Sequence, residues 1–336
     1  MRDDHSDTIG LLAVGQLFAD FVYSDLPTAP QPGEEVWTDA FGFGPGGIAN
    51  FAIAAARLGL GSSIVAALGG DAMTALCTRL LEAEGVDLKY SRVVPGWSLP
   101  VTSSLGWGGD RALVTGGTPA PLSADALLDG IVPIATTAVV HLDPEPAAWL
   151  STAAAQGTRV YADLGWDPSG AWDPDILDQL ASCAAFLPNE TEALAYTGTD
   201  SAGRAAVALA DRVPLSVVTR GDLGVIAIDS ATGERVERPS LAVVAIDPTG
   251  AGDVFGAAFA YSSTRDWSLT ERVDFACLCA GITVSRPGGA AGAPRLSELD
   301  AWLRTNPGAF EPHRYDFLAA AATTESATSN QPIERR

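Results

Sequence analysis

Short apolar runs rich in Val, Ile and Leu alternate along this chain with alanine-rich stretches whose apolar positions recur at helical spacing. Such alternation builds a mostly parallel sheet, because crossover helices cover both faces of the strands they connect. The runs predict strands at Ile9 to Val14, Ser63 to Ala67, Ala138 to Leu142, Arg159 to Ala162, Ala185 to Leu187, Leu215 to Thr219, Val225 to Ile228 and Leu241 to Ile246. Helices are predicted over Ile48 to Leu58, Ala72 to Glu84, Glu145 to Gln156, Glu190 to Thr197, Ser201 to Asp211, Val254 to Ser262 and Leu269 to Ser285. The expected fold is therefore a Rossmann-like α/β sandwich of three layers.

Two stretches break that rhythm. Residues 34–43 and 101–115 alternate apolar and polar positions, carry aromatics and are bounded by Pro and Gly. They predict antiparallel strands outside the main sheet, forming a small lid. After Leu318 the chain turns polar and has no apolar face to bury. The expectation is one domain over residues 1–318 and a disordered tail over residues 319–336.

The composition narrows the chemistry. With 336 residues, 47% of them hydrophobic, the chain can bury a large core. No apolar run is long enough for a bilayer, and the N-terminus lacks the basic and apolar regions of a signal peptide, so a cytoplasmic address is expected. Cys77, Cys183, Cys277 and Cys279 fit neither a disulfide framework nor a zinc site and read as core thiols. A formal charge of −21 argues against nucleic acid and anionic membranes as partners. Lys89 is the single lysine, and it stands in neither a Walker A loop nor a protein-kinase strand. Any phosphoryl transfer here must rely on main-chain amides, a metal or arginine.

The segment LAVVAIDPTGAGDVFGAAFAY is where that chemistry fits. A buried-type strand leads through Asp247, Pro248 and Thr249 into Gly250, Ala251, Gly252 and Asp253, and then into an alanine-rich helix. Unpaired N–H groups and the positive helix end would converge on one point, forming an anion hole for a phosphoryl group in transfer. Asp253 would lie beside it, placed to accept a proton from an attacking hydroxyl. Alone, a glycine-rich turn with an aspartate in the first helical turn is equally a structural device.

Two separated signatures strengthen the functional reading. The DPTGAGD segment resembles the C-terminal signature of the ribokinase, or PfkB, family of carbohydrate kinases, and GPGGIANFAIAAARLG resembles its N-terminal one. The likeness spans roughly Ile9 to Trp302 and implies a ribokinase-like fold with ATP and Mg²⁺ as donor and cofactor. It implies Asp253 as catalytic base, the Gly250, Ala251 and Gly252 amides as anion hole, and Asp20, Gly46, Gly47 and Asn50 as substrate contacts. For Asp20, a loop aspartate capping its own backbone is the rival reading.

PNETEA is similar to the family's Asn-x-x-Glu element, implying that Asn189 and Glu192 organise hydrated Mg²⁺; by itself it is equally a helix N-cap. Thr219, Gly221 and Gly224 match a turn near the nucleotide, which is a hairpin turn on either reading. Residues 284–294 fall where family members wrap the adenine. In some members K⁺ binds there, which implies backbone ligands at Asp247 and Thr249. Pro248 departs from the threonine found in many members and bears on the geometry of that cation site. Trp37, Phe41, Phe43 and Trp107 are placed to cover the sugar, and lid packing explains them equally.

The resemblance predicts an ATP-dependent kinase for a hydroxyl of a ribose, fructose, keto-deoxy sugar acid or nucleoside type of substrate. An unphosphorylated substrate is favoured because no Arg or Lys cluster marks a second phosphate site. Lid-to-lid homodimers are frequent among relatives. The rival classes are a silent sugar-binding regulator and an NAD-dependent oxidoreductase, the latter from a literal G-x-G-x-x-G at Gly42, Gly44 and Gly47. No serine-hydrolase elbow exists, and His141 reads as a structural residue ending a strand.

Overall fold

Seven of the eight predicted apolar runs, joined by a further strand at Arg235–Arg238, pair into one sheet. The structure, a computed structural model, describes residues 8–108, 110–165 and 170–319, so nearly all of the tail expected to be disordered lies outside the described residues. In chain order the strands are β1 (Ile9–Val14), β2 (Leu17–Tyr23), β3 (Phe41–Gly47), β4 (Ser62–Val65), β5 (Ala67–Leu68), β6 (Arg92–Val93) and β7 (Val101–Trp107). There follow β8 (Asp110–Gly116), β9 (Ala135–Leu142), β10 (Arg159–Leu164), β11 (Ala185–Phe186), β12 (Leu215–Thr219), β13 (Val225–Asp229) and β14 (Arg235–Arg238). The helices are α1 (Ile48–Arg57), α2 (Ala72–Ala83), α3 (Ala124–Leu128), α4 (Ala148–Ala155), α5 (Glu190–Thr197), α6 (Ala202–Ala210), α7 (Ala251–Ser262), α8 (Leu269–Val284) and α9 (Leu299–Thr305).

The main sheet runs β14-β13-β12-β11-β10-β9-β1-β4. Pairing is parallel from β4 to β12 and antiparallel for β13 and β14. Helices α1, α7 and α8 pack in a row, while α4 packs on β10 and α6 on β12 and β13. The central strands are mostly buried, as expected of strands covered on both faces.

A second sheet of four strands, β3-β2-β7-β8, forms the lid. Its first strand differs from the expectation of residues 34–43: β3 begins at Phe41 and continues through Gly46 and Gly47 to the start of α1. Strand β2, which the sequence pattern left out, is held between β3 and β7. Only Gly15 and Gln16 separate β2 from β1, so the lid grows directly out of the core sheet.

The other difference lies before the phosphate-site helix. Residues 241–246 form no strand, although their apolar content predicts one. Val244 is 82% exposed, and the segment's main chain bonds singly to Ala309 and Val284 instead of entering a ladder. Apolar composition marks a strand only where a sheet edge is available to pair with it.

Candidate active site

Helix α7 opens with Gly250 as its N-cap at a φ of 73°, a left-handed conformation that glycine adopts without a Cβ clash. The first helical bond runs from the Val254 amide to the Gly250 carbonyl at 2.9 Å. Ala251 uses its amide in a turn bond to the Pro248 carbonyl at 3.3 Å, whereas the amides of Gly252 and Asp253 find no partner among the described residues. Two donors at a positive helix end thus face outward beside the Asp253 carboxylate.

That carboxylate is held from two sides. Asn50 Nδ2, on α1, donates to Oδ2 at 2.8 Å, and His141 Nε2, at the end of β9, lies 3.5 Å from Oδ1. Asp163, at the end of β10, completes a cluster with His141 and Asp253 in which one ligand-type atom from each lies within 4.8 Å of the others. His141 and Asp163 were missed as site residues from sequence. Their signal was positional: both sit at the carboxyl ends of adjacent parallel strands, where open α/β sheets bind ligands.

Asp20 lies on β2, opposite Gly44 of β3, and is not a loop residue. Burial, assisted by the nearby Asp253 charge, pushes its pKa up to about 7 against a hydrogen bond from Thr102. Gly46 packs on this carboxyl so closely that a methyl group there would collide with both oxygens. Gly47 is the N-cap residue of α1 and so brings the lid strand to the helix that carries Asn50. Asp20, Gly46, Gly47, Asn50 and Asp253 are therefore gathered at one place.

Burial also pushes the Asp163 and Glu192 carboxyls up, to about 7 and about 8; the Asp253 charge adds to the first shift and the Asp163 charge to the second, while His141 opposes both. Burial alone would lower the His141 pKa, but Asp253, Asp163 and Glu192 together hold it above its ordinary value.

Asn189 and Glu192 form a capping box at the start of α5: the Glu192 amide donates to Asn189 Oδ1, and the Asn189 amide donates to Glu192 Oε2, both at 3.0 Å. The N-cap reading is thus realised in the fold, and both side chains also line a cavity of about 320 Å³ with Thr219, Arg220 and Gly221. Gly224 stands outside that lining. It lets the turn approach β14, where a side chain would run into the Arg238 carbonyl.

Asp247 is buried and clasps a loop. Its Oδ1 accepts the Thr249 amide at 2.9 Å, and its Oδ2 accepts the Gly288 and Gly289 amides at 3.1 and 2.8 Å. The Thr249 hydroxyl meets Ser104 of β7 at 3.1 Å, joining lid and turn. Among the lid aromatics, Phe43 packs edge-on against Phe21 at 4.9 Å and Phe41 tilts against Tyr23 at 5.2 Å. Trp37 is 79% exposed, so lid packing and solvent account for these three. Gly42, Gly44 and Gly47 all lie on β3, away from any turn after the first core strand, which removes the dinucleotide reading.

An α/β sandwich with an anion-binding helix start for a floor and a β-sheet for a cover is the build of a small-molecule kinase. Residues 10–296 match the profile described as pfkB family carbohydrate kinase, and the chain belongs to that family. Ribokinase of Lactococcus lactis is 26% identical over 294 residues, covering 87% of this chain and 96% of the relative. Deoxyribokinase of Salmonella typhi is 26% identical over 287 residues, covering 82% and 93%. In fold, a putative ribokinase II from E. coli, solved with ATP and Mg²⁺, superposes with a TM-score of 0.74 at 21% identity, covering 88% of this chain and 99% of its own. The chain is an ATP-dependent phosphotransferase with an alcohol acceptor of the sugar class. A silent regulator is not favoured, since these relatives are named as kinases.

Proposed function

We propose that the enzyme transfers the γ-phosphoryl group of ATP to a hydroxyl of an unphosphorylated sugar or sugar-like polyol, with Asp253 accepting the hydroxyl proton. The carrying observation is the Asp253 carboxylate, gripped by Asn50 and set beside the Gly252 and Asp253 amides, which have no partner among the described residues. In the transfer, the sugar O–H breaks toward Asp253, an O–P bond forms, and the β,γ P–O bond breaks with its electron pair leaving on ADP. The helix-start amides receive the charge on the equatorial oxygens.

Asp20 and Asn50 would hold the sugar hydroxyls, with the main chain at Gly46 and Gly47 closing the other side. The cavity at Asn189, Glu192, Thr219 and Gly221 suits the nucleotide phosphates. Three carboxyls, Asp20, Asp163 and Glu192, are pushed toward protonation in this region, which fits a place for a hard divalent cation. Asn189 and Glu192 would hold Mg²⁺ through water; bound there, the ion neutralises phosphate charge. The strongest charges sensed by Asp20 and Asp163 are carboxylates and His141, an unfavourable setting for a substrate already carrying phosphate.

A monovalent cation on main-chain carbonyls around Asp247 and Thr249 is part of this reading. It is supported by the Asp247 clasp on the 288–289 loop, and a comparison of rates in potassium and sodium salts tests it. Exposed Phe41, Leu113 and Val114 on the lid support a lid-to-lid homodimer, to be tested by sedimentation velocity. Use of ATP and four free buried cysteines support a cytoplasmic site of action, to be checked by cell fractionation; among the described residues no helix is long and apolar enough to cross a membrane.

The decisive experiment is a coupled ADP-release assay over sugars, sugar acids and nucleosides with wild type and Asp253→Asn. The variant is expected to fold normally and lose roughly a hundredfold or more in kcat. Near-normal turnover would remove Asp253 from its role.

A further inference from the structure

Asp253 stands among acids. Asp20 senses it from the lid, Asp163 from the end of β10, and Glu192 lies beyond Asp163. A carboxylate in such company is repelled by its neighbours and pushed to rotate away from them, which would disable it as an acceptor. Asn50 fixes one oxygen but is neutral. The other oxygen faces the His141 imidazole across 3.5 Å.

His141 is itself held in place. It is the penultimate residue of β9, in register with Asp163 of β10, and its ring meets the Phe51 ring edge-on at 5.4 Å. Phe51 follows Asn50 on α1, so the two groups that grip Asp253 are braced against each other. The groups that face the imidazole are Asp253 from α7, Asp163 from β10, Glu192 from α5 and, on its own strand end, Asp143. All are acidic, so the imidazole is the cation of the cluster.

We propose that His141 is a positioning residue for phosphoryl transfer: it holds Asp253 Oδ1 while Asn50 holds Oδ2, fixing the plane of the carboxylate toward the acceptor hydroxyl and offsetting the surrounding acids. It keeps its own proton; the proton released from the sugar passes to Asp253. This inference rests on the proposed role of Asp253 as acceptor. It also explains a feature of the sequence: a chain with a single lysine, placed elsewhere, meets the charge demand at its catalytic carboxylate with histidine.

The test is steady-state kinetics on purified full-length protein with His141→Gln and His141→Asn, folding checked by circular dichroism. Glutamine retains a donor of similar reach and loses the charge. Both variants are expected to lose about tenfold or more in kcat, the scale of a misplaced reacting group, while KM for sugar and for ATP stays within about threefold. Wild-type kcat is expected to fall on the alkaline side as the imidazole loses its proton, and that fall should disappear in both variants. In an Asp253→Asn background, His141→Gln should cost nothing further.

Unchanged kcat and an unchanged pH profile in a folded variant would overturn the proposal, as would a rise in KM at constant kcat, which would make His141 a substrate contact. Should His141→Gln fail to fold, His141→Asn and the wild-type pH profile decide: a profile with no alkaline limb overturns it. An active Asp253→Asn would instead sink the acceptor assignment itself, so the two failures are distinguishable.

Discussion

Gly46 shows how much function one absent side chain carries. Asp20 occupies the space that any Cβ at position 46 would need, so Gly46→Ala must displace the carboxylate from its place on β2. The expected outcome is a tenfold or larger rise in sugar KM, on the order of the 1–3 kcal/mol that a lost hydrogen bond to a charged group is worth, with KM for ATP little changed. Initial-rate kinetics over both substrates check it; equal effects on both would mean a general loss of structure. At this scale the motifs pointed to Asp253 and Asn50, which the fold brings to 2.8 Å of each other. The sequence marked His141 only as a structural strand end and did not single out Asp163, because the two meet only when β9 and β10 are laid side by side.

The start of α7 is the element on which the rest converges. A Cβ on Gly250 would lie 3.1 Å from the Ala290 amide nitrogen and 3.3 Å from Asn50 Nδ2, and the residue would carry a positive φ. Gly250→Ala should therefore lower stability by about 1–2 kcal/mol and lower kcat disproportionately, since it moves Asn50 away from Asp253. Urea denaturation with kinetics on the same preparation checks both; an unaltered kcat would show that the turn is not coupled to the carboxylate. The seven predicted helices were readable to within a few residues because alanine-rich runs specify them locally, whereas the short α3 and α9 carried too few residues to show a period. The 241–246 run was misread because an extended segment becomes a strand only with a partner, and partners are a property of the whole sheet. In the lid, the aromatic alternation located β7 and β8 well but drew β3 too early, since glycines at 42, 44, 46 and 47 carry no side-chain pattern at all.

Over the whole molecule, buried acids tie stability to pH. Asp20 titrates near 7 in the folded state against roughly 4 in an unfolded chain, so the folded state binds the extra proton between those values. Stability from this group is fully present below about pH 4 and is lost as pH rises through about 7. Asp163, Glu192 and His141 are raised as well and act in the same direction. The ligand-free enzyme should accordingly melt at a lower temperature near pH 8.5 than near pH 6, measured by scanning calorimetry. A melting temperature that climbs over that interval would contradict the assignment of these groups as buried acids.

The two-residue link between β1 and β2 has a mechanical consequence. Asp20, which would grip the sugar, travels with the cover, whereas Asp253, which would relieve the sugar of its proton, is bolted to the floor. The two can meet across a hydroxyl only when the cover is down. Water alone does not fill the space of a polyol between them, so an idle enzyme would leave its ATP unspent.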